Sequence, residues 1–162
     1  MISTSTPNFL ELIKSLRMND RKAYYQLRQQ FSHISLYDGA RRWLRLDFSW
    51  SDTVSFLHQA KTRGVFVIRQ SQTDLGHLIL SVLVIPNFDP ECRASLNASI
   101  IDYEITYRKR FQRYEIFDKE KDGFAYFNNL NDLVRFYSSI SGLDCRLNVP
   151  ATECCLLRYE AI

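Results

Sequence analysis

The chain has 162 residues, 21 basic against 18 acidic side chains and a formal net charge of +3. That length suits one domain with an extension, enough to bury a sizeable core but cramped for two independent domains, and so slight a positive balance gives no reason to expect a nucleic-acid partner. Four cysteines (Cys92, Cys145, Cys154, Cys155) and three histidines (His33, His58, His77) follow no zinc-ligand spacing, and no apolar run reaches the ~18 residues that span a bilayer, which argues against a metal site, a cofactor and membrane insertion.

In chain order, residues 1–7 read as a frayed lead. Phe9, Leu10, Ile13 and Leu16 then recur at helical spacing, and Asn19 or Asp20 can cap a second helix carrying Tyr24, Leu27 and Phe31. These two helices make residues 1–40 an N-terminal helical extension, ended by the Asp38-Gly39 turn, and leave residues 41–162 as the main domain. Ser49 or Ser51 caps the next helix, in which Val54, Phe56 and Leu57 offer an apolar face. Strands are predicted at residues 64–70, 77–85 and 99–108, the last two joined by the long, proline-bearing connection PNFDPECRASLN. A fourth strand at 113–117 precedes the charged turn DKEKDG, after which Asn128 or Asn129 caps a helix holding Leu130, Leu133, Val134 and Tyr137. The adjacent Cys154 and Cys155 read as two faces of a C-terminal strand, with free thiols in a reducing cytosol. The N-terminus shows no signal-peptide order, so a cytoplasmic protein is expected. This order predicts an α+β fold, a central antiparallel β-sheet flanked by two α-helices. Its core would use Phe66, Ile68, Leu80, Val82, Ile105, Leu133 and Val134.

The segment GVFVIRQSQTDLGHLILSVLV, residues 64–84, sets Arg69 inside an apolar strand and follows it with a small polar loop. An arginine at a strand end usually reaches out to solvent along its own stem. Buried, its guanidinium costs several kcal/mol unless an anion meets it, so Arg69 reads as an anion receptor. The loop from Gln70 to Gly76 adds the Ser71 and Thr73 hydroxyls, Gln72 and a run of backbone N–H groups, a concave turn of the kind that cradles anions.

Gly64, Phe66, Val67, Ile68, Arg69 and Ser71 follow the order of the signature of the Src-homology-2 (SH2) family, which this segment resembles. Tyr103-Glu104-Ile105, the aromatic strand at Tyr114 to Phe117, FNNLNDLVRFY (127–137) and SGLDCRLNVP (141–150) resemble later parts of the family in the same order, and Trp43 stands where the domain customarily begins. The resemblance covers residues 43–150. It implies an SH2-like fold and phosphotyrosine-peptide binding, with tyrosine-phosphorylated proteins as partners and the domain acting as a monomer. A phosphotyrosine phosphate carries close to two negative charges, and a planar guanidinium binds two of its oxygens at once. The phosphate would therefore sit on Arg69, Ser71, Gln72 and Thr73.

Two departures from the family pattern concern the phosphotyrosine ring. Ser49 or Trp50 stands where a basic residue is usual in the first helix, and Asp102 and Glu104 stand where a histidine and a basic residue flank the third strand's aromatic. An acid beside a dianion costs affinity unless it is turned away or neutralised. Arg108, two positions beyond Thr106 on the same strand face, is the candidate to restore the charge. Tyr103 would line the peptide cleft or belong to the core. The segment Asp118 to Tyr126 is enlarged, and as an insert over the cleft it would bring Lys121, Phe124 and Tyr126 to the peptide and make binding insensitive to flanking sequence. In these features the chain resembles SH2 domains of intracellular bacteria such as Legionella, which act in the host-cell cytosol.

Two other functions compete. A cysteine-dependent phosphatase needs a cysteine and an arginine at C-x-x-x-x-x-R spacing in one loop; this sequence has no such string, and no Ser-His-Asp set can be nominated, so no catalytic residues are expected. A phosphate-independent interaction domain is the alternative, with Arg69 paired to an internal carboxylate and an extended peptide added at the sheet edge.

Overall fold

Alternating residues of the predicted strands point to opposite sides, so the sheet has two faces, each with apolar side chains that need a cover. The computed structural model, which describes residues 33–34, 41–74 and 76–148, supplies both. Strands β1 (Phe66–Gln70), β2 (Leu78–Leu83), β3 (Ile100–Arg108), β4 (Arg113–Asp118) and β5 (Gly123–Phe127) form one antiparallel sheet in sequential order. Helix α1 (Trp50–Ala60) precedes it, the short α2 (Arg93–Ser99) lies between β2 and β3, and α3 (Leu130–Ser139) follows β5. The helices predicted within residues 1–40, the boundary at residue 40 and the strand predicted at Cys154-Cys155 lie outside the described residues.

On one side, Phe66, Ile68, Leu80, Val82 and Ile105 cluster with Leu133, Val134 and Tyr137 of α3, so all seven predicted core residues are buried together. The other side is smaller. Leu83 and Ile100 pack there with Leu57 of α1 and with Phe88, and full burial of a side chain such as Leu57 contributes on the order of 2 kcal/mol. Both helices begin where the caps predict. Ser49 Oγ accepts from Asp52 N–H while the Asp52 carboxylate accepts from Ser49 N–H, and hydrogen bonds from the Ser49 backbone and side chain hold the Asp52 carboxyl below its ordinary pKa. Of the two candidate caps for α3, Asn129 takes the role, accepting from Asp132 N–H at 2.7 Å.

The glycine that opens the signature has a packing reason. Gly64 has φ +88°, and a Cβ there would lie 2.4 Å from the Arg146 carbonyl oxygen. Its N–H donates to Leu83 O and its own carbonyl accepts from Asn148 N–H, both at 2.8 Å. The start of β1 is thereby tied to the closing segment, whose Leu143 and Leu147 enter the main core.

Two elements differ from the sequence expectation. The PNFDPECRASLN connection contains α2, and the segment from Asp118 to Tyr126 is no insert folded over a cleft. It is the tip of a regular β4–β5 hairpin paired from Tyr114↔Phe127 to Asp118↔Gly123, with its turn confined to residues 119–122. Buried Asp118 holds that turn, accepting from Lys121 N–H and from the Tyr137 hydroxyl at 2.9 Å, which locks the hairpin to α3. Burial, then the neighbouring Asp118 carboxylate, pushes the Tyr137 phenol upward in pKa.

Candidate functional site

The register decides which side chains meet on the α1 side. Arg69 stands opposite Ile79, and Ser81, two residues further along β2 and on the same face, stands opposite Asp102 on β3. The three therefore converge from three adjacent strands. Arg69 Nε donates to Ser81 Oγ at 3.1 Å, Nη2 donates to Asp102 Oδ2 at 3.0 Å, and Ser81 Oγ donates to Asp102 Oδ1 at 2.6 Å. The Arg69 side chain is 6% exposed and that of Asp102 is 40% exposed. Above the guanidinium, the Trp50 ring at the start of α1 lies 5.5 Å from Cζ, within cation–π range.

Arg69, Asp102 and Trp50 lie in the walls of an open hollow of about 550 Å³, completed by Ser71, Gln72, Thr73, Ile79, Asn97 and Ile100, while Ser81 is fully buried. Four of the predicted phosphate-site residues, Arg69, Ser71, Gln72 and Thr73, are thus brought together. Ser71 is 5% exposed; its Oγ accepts from Asp74 N–H and lies 3.3 Å from Thr73 Oγ1, while its N–H donates to His77 O. The hydroxyl shapes the loop as well as facing the hollow. A guanidinium offers a side fork, Nε with Nη2, and an end edge, Nη1 with Nη2. Here Ser81 and Asp102 take the side fork, and among the described residues no hydrogen bond takes Nη1 at the end edge.

Arg108, predicted to restore the missing charge, is not brought to this hollow. It donates to Glu115 at 2.8 Å, and that hydrogen bond and charge raise its pKa. Strand parity was right and distance along the strand was not: Arg108 faces the same side as Asp102 but stands at the far end of β3. Instead it lines a second hollow of about 440 Å³, together with His77, Asp102, Tyr103, Glu104, Thr106, Phe117, Lys119 and Phe124. Asp102 belongs to both hollows.

Of the residues predicted for a peptide cleft, Tyr103 and Phe124 line the second hollow, whereas Lys121 and Tyr126 do not. Lys121 stands over the Phe136 ring of α3, and Tyr126 stacks under Arg113, whose Cζ is 3.7 Å from its ring centre. Tyr103 lines this hollow and at the same time belongs to the main core, where it is 8% exposed. Its hydroxyl donates to Asp144, and burial, then that hydrogen bond, raises its pKa. Lys119 Nζ reaches the same carboxylate at 2.8 Å. Burial resists ionisation of Asp144, but hydrogen bonds from Lys119 and Tyr103 outweigh it and hold the carboxyl below its ordinary range. Beside this clasp, Phe117 and Phe124 meet edge to face at 5.8 Å, 43% and 56% exposed.

Trp50 was only one of two alternatives in the sequence, and Asn97 was hidden in a segment read as a connection. A Trp immediately after a Ser cap, with Asp two residues on, was the available signal for the first. For the second no signal existed, because α2 has an unremarkable composition and no side-chain cap.

Residues 43–137 match the family model of the SH2 domain, over half of the chain. No curated protein matches the chain. Among solved structures it is similar to the SH2 domain of a CRK/CRKL homologue from Monosiga brevicollis, determined in solution by NMR, with 21% identity over 67% of this chain and 85% of that one and a TM-score of 0.49.

Proposed function

This chain belongs to the SH2 family, whose members are phosphotyrosine-binding modules and not enzymes, and on that premise we propose that it takes the phosphotyrosine phosphate on the end edge of Arg69. The observation that supports this reading is a guanidinium 6% exposed in the wall of a 550 Å³ hollow with hydroxyls at its rim. Such an arrangement gives a charged, hydrogen-bonded seat to a group carrying roughly 1.5 to 2 negative charges. Ser71 and Thr73 assist, and the Trp50 ring takes the place of the usual base beside the phenol.

The peptide beyond the phosphotyrosine would continue into the second hollow, which shares Asp102 with the first. Its aromatic wall, Phe117 and Phe124, offers contact area with little demand on side-chain identity, so discrimination among flanking residues is weak. Titrating the protein with a phosphotyrosine peptide and its unphosphorylated twin tests the reading. Binding of the phosphorylated form alone is expected.

One observation favours the alternative of a phosphate-independent interaction domain. Arg69 already has an internal anion in Asp102, the pairing that such a domain would keep permanently. Equal affinity for both peptides, unchanged in Arg69→Lys, would establish that second reading.

A further inference from the structure

We propose that Asp102 is a built-in competitor at Arg69, a carboxylate on the guanidinium that an arriving anion must either displace or bind against. The inference rests on the reading of the Arg69 hollow as the phosphotyrosine site and names the residue that limits its affinity.

The sheet register delivers the competitor. Asp102 is held by two donors, Arg69 Nη2 and Ser81 Oγ, and Ser81 also accepts from Arg69 Nε, so the three side chains close a ring. Among the described residues lining the hollow, Arg69 and Asp102 are the only charged ones. Their charges cancel, and an arriving phosphate meets a neutral hollow rather than a cationic one. The two partners are unequally buried: Arg69 is fixed in the floor, while the 40% exposed Asp102 can exchange its guanidinium contact for water.

Both ways of seating a phosphate set it against this carboxylate. Bidentate binding at the side fork requires Asp102 to leave Nη2. Binding at the end edge leaves Asp102 on the neighbouring N–H, close to the dianion and repelling it. The device also screens ligands. A carboxylate on an acidic, unphosphorylated peptide offers Arg69 no more than Asp102 already supplies from within the same sheet, where its effective concentration is high. A phosphate, with more charge and more acceptor oxygens, can win the exchange.

The test compares the wild-type protein with Asp102→Asn, which keeps the shape, and Asp102→Ala, which removes any new amide contact to Arg69. Each is titrated by fluorescence anisotropy with a phosphotyrosine peptide, its unphosphorylated twin and a version with Glu in place of phosphotyrosine, and each is melted to confirm folding. Both variants should bind the phosphopeptide at least tenfold more tightly than wild type and should gain measurable affinity for the Glu peptide. Unchanged or weaker phosphopeptide binding in both folded variants, with the wild type still preferring the phosphorylated form, would overturn the proposal and make Asp102 a positioning residue for Arg69. If no protein distinguishes the phosphorylated peptide from its twin, the reading of the hollow fails and the competitor falls with it.

Discussion

A guanidinium has five N–H donors fixed in one plane, and at Arg69 their division between the sheet and the open hollow underlies the binding chemistry we propose. Lysine keeps the charge but has no plane, so Arg69→Lys cannot hold Ser81, Asp102 and a phosphate together. Phosphopeptide affinity should fall by at least ~2 kcal/mol in a titration, with the melting temperature little changed. Ser71→Ala should cost roughly 1 kcal/mol, because its hydroxyl both accepts from Asp74 N–H and faces the hollow; complete loss of binding would mean that Ser71, not Arg69, anchors the phosphate. Arg69 was legible in the sequence because a charge in an apolar strand is anomalous wherever the strand lies. Arg108 misled for the opposite reason. Its strand face follows from parity, but its partner Glu115 comes from β4, and no period along one strand reports what the next strand places opposite.

At the scale of elements, the β4–β5 hairpin replaces the covering loop read from its charged turn. Strand β5, GFAYF, was not legible because its residues do not alternate in polarity: Phe124 and Tyr126 are exposed while Ala125 is buried. The exposed side faces the second hollow with Phe124, so the hairpin is a wall, and in the proposed function its contribution is contact area. Phe124→Ala should weaken several unrelated phosphopeptides by a similar factor, about 1 kcal/mol each, read as faster dissociation. If a single peptide is affected, the wall is a selective pocket. The hairpin's anchorage is separable from this. Tyr137→Phe leaves the buried Asp118 carboxylate short of one donor, and should lower unfolding free energy by roughly 1–3 kcal/mol in urea without altering the peptide-facing aromatics.

Across the molecule, the Lys119–Asp144–Tyr103 clasp joins the hairpin turn, the third strand and the closing segment. The Asp144 carboxyl is held below its ordinary pKa in the folded protein. A depressed carboxylate stabilises the fold above its unfolded pKa of about 3.9, and that contribution is lost as pH falls through the lower folded value. Thermal melts should therefore drop more steeply below about pH 4 for wild type than for Asp144→Asn; parallel profiles would remove the clasp from the acid response.

The hydrogen bond between Gly64 and Asn148 has a consequence in time as well as in space. A ribosome makes the chain from its N-terminus, so β1 emerges early with its glycine carbonyl unmet. The residue that meets it lies beyond α3, past the end of the family match at residue 137. Leu147, which fills the core beside it, is equally late. A nascent chain whose residue 148 has not yet left the tunnel holds the Gly64 carbonyl unmet and the core without Leu147, so this tie across the domain forms only after α3 has been made.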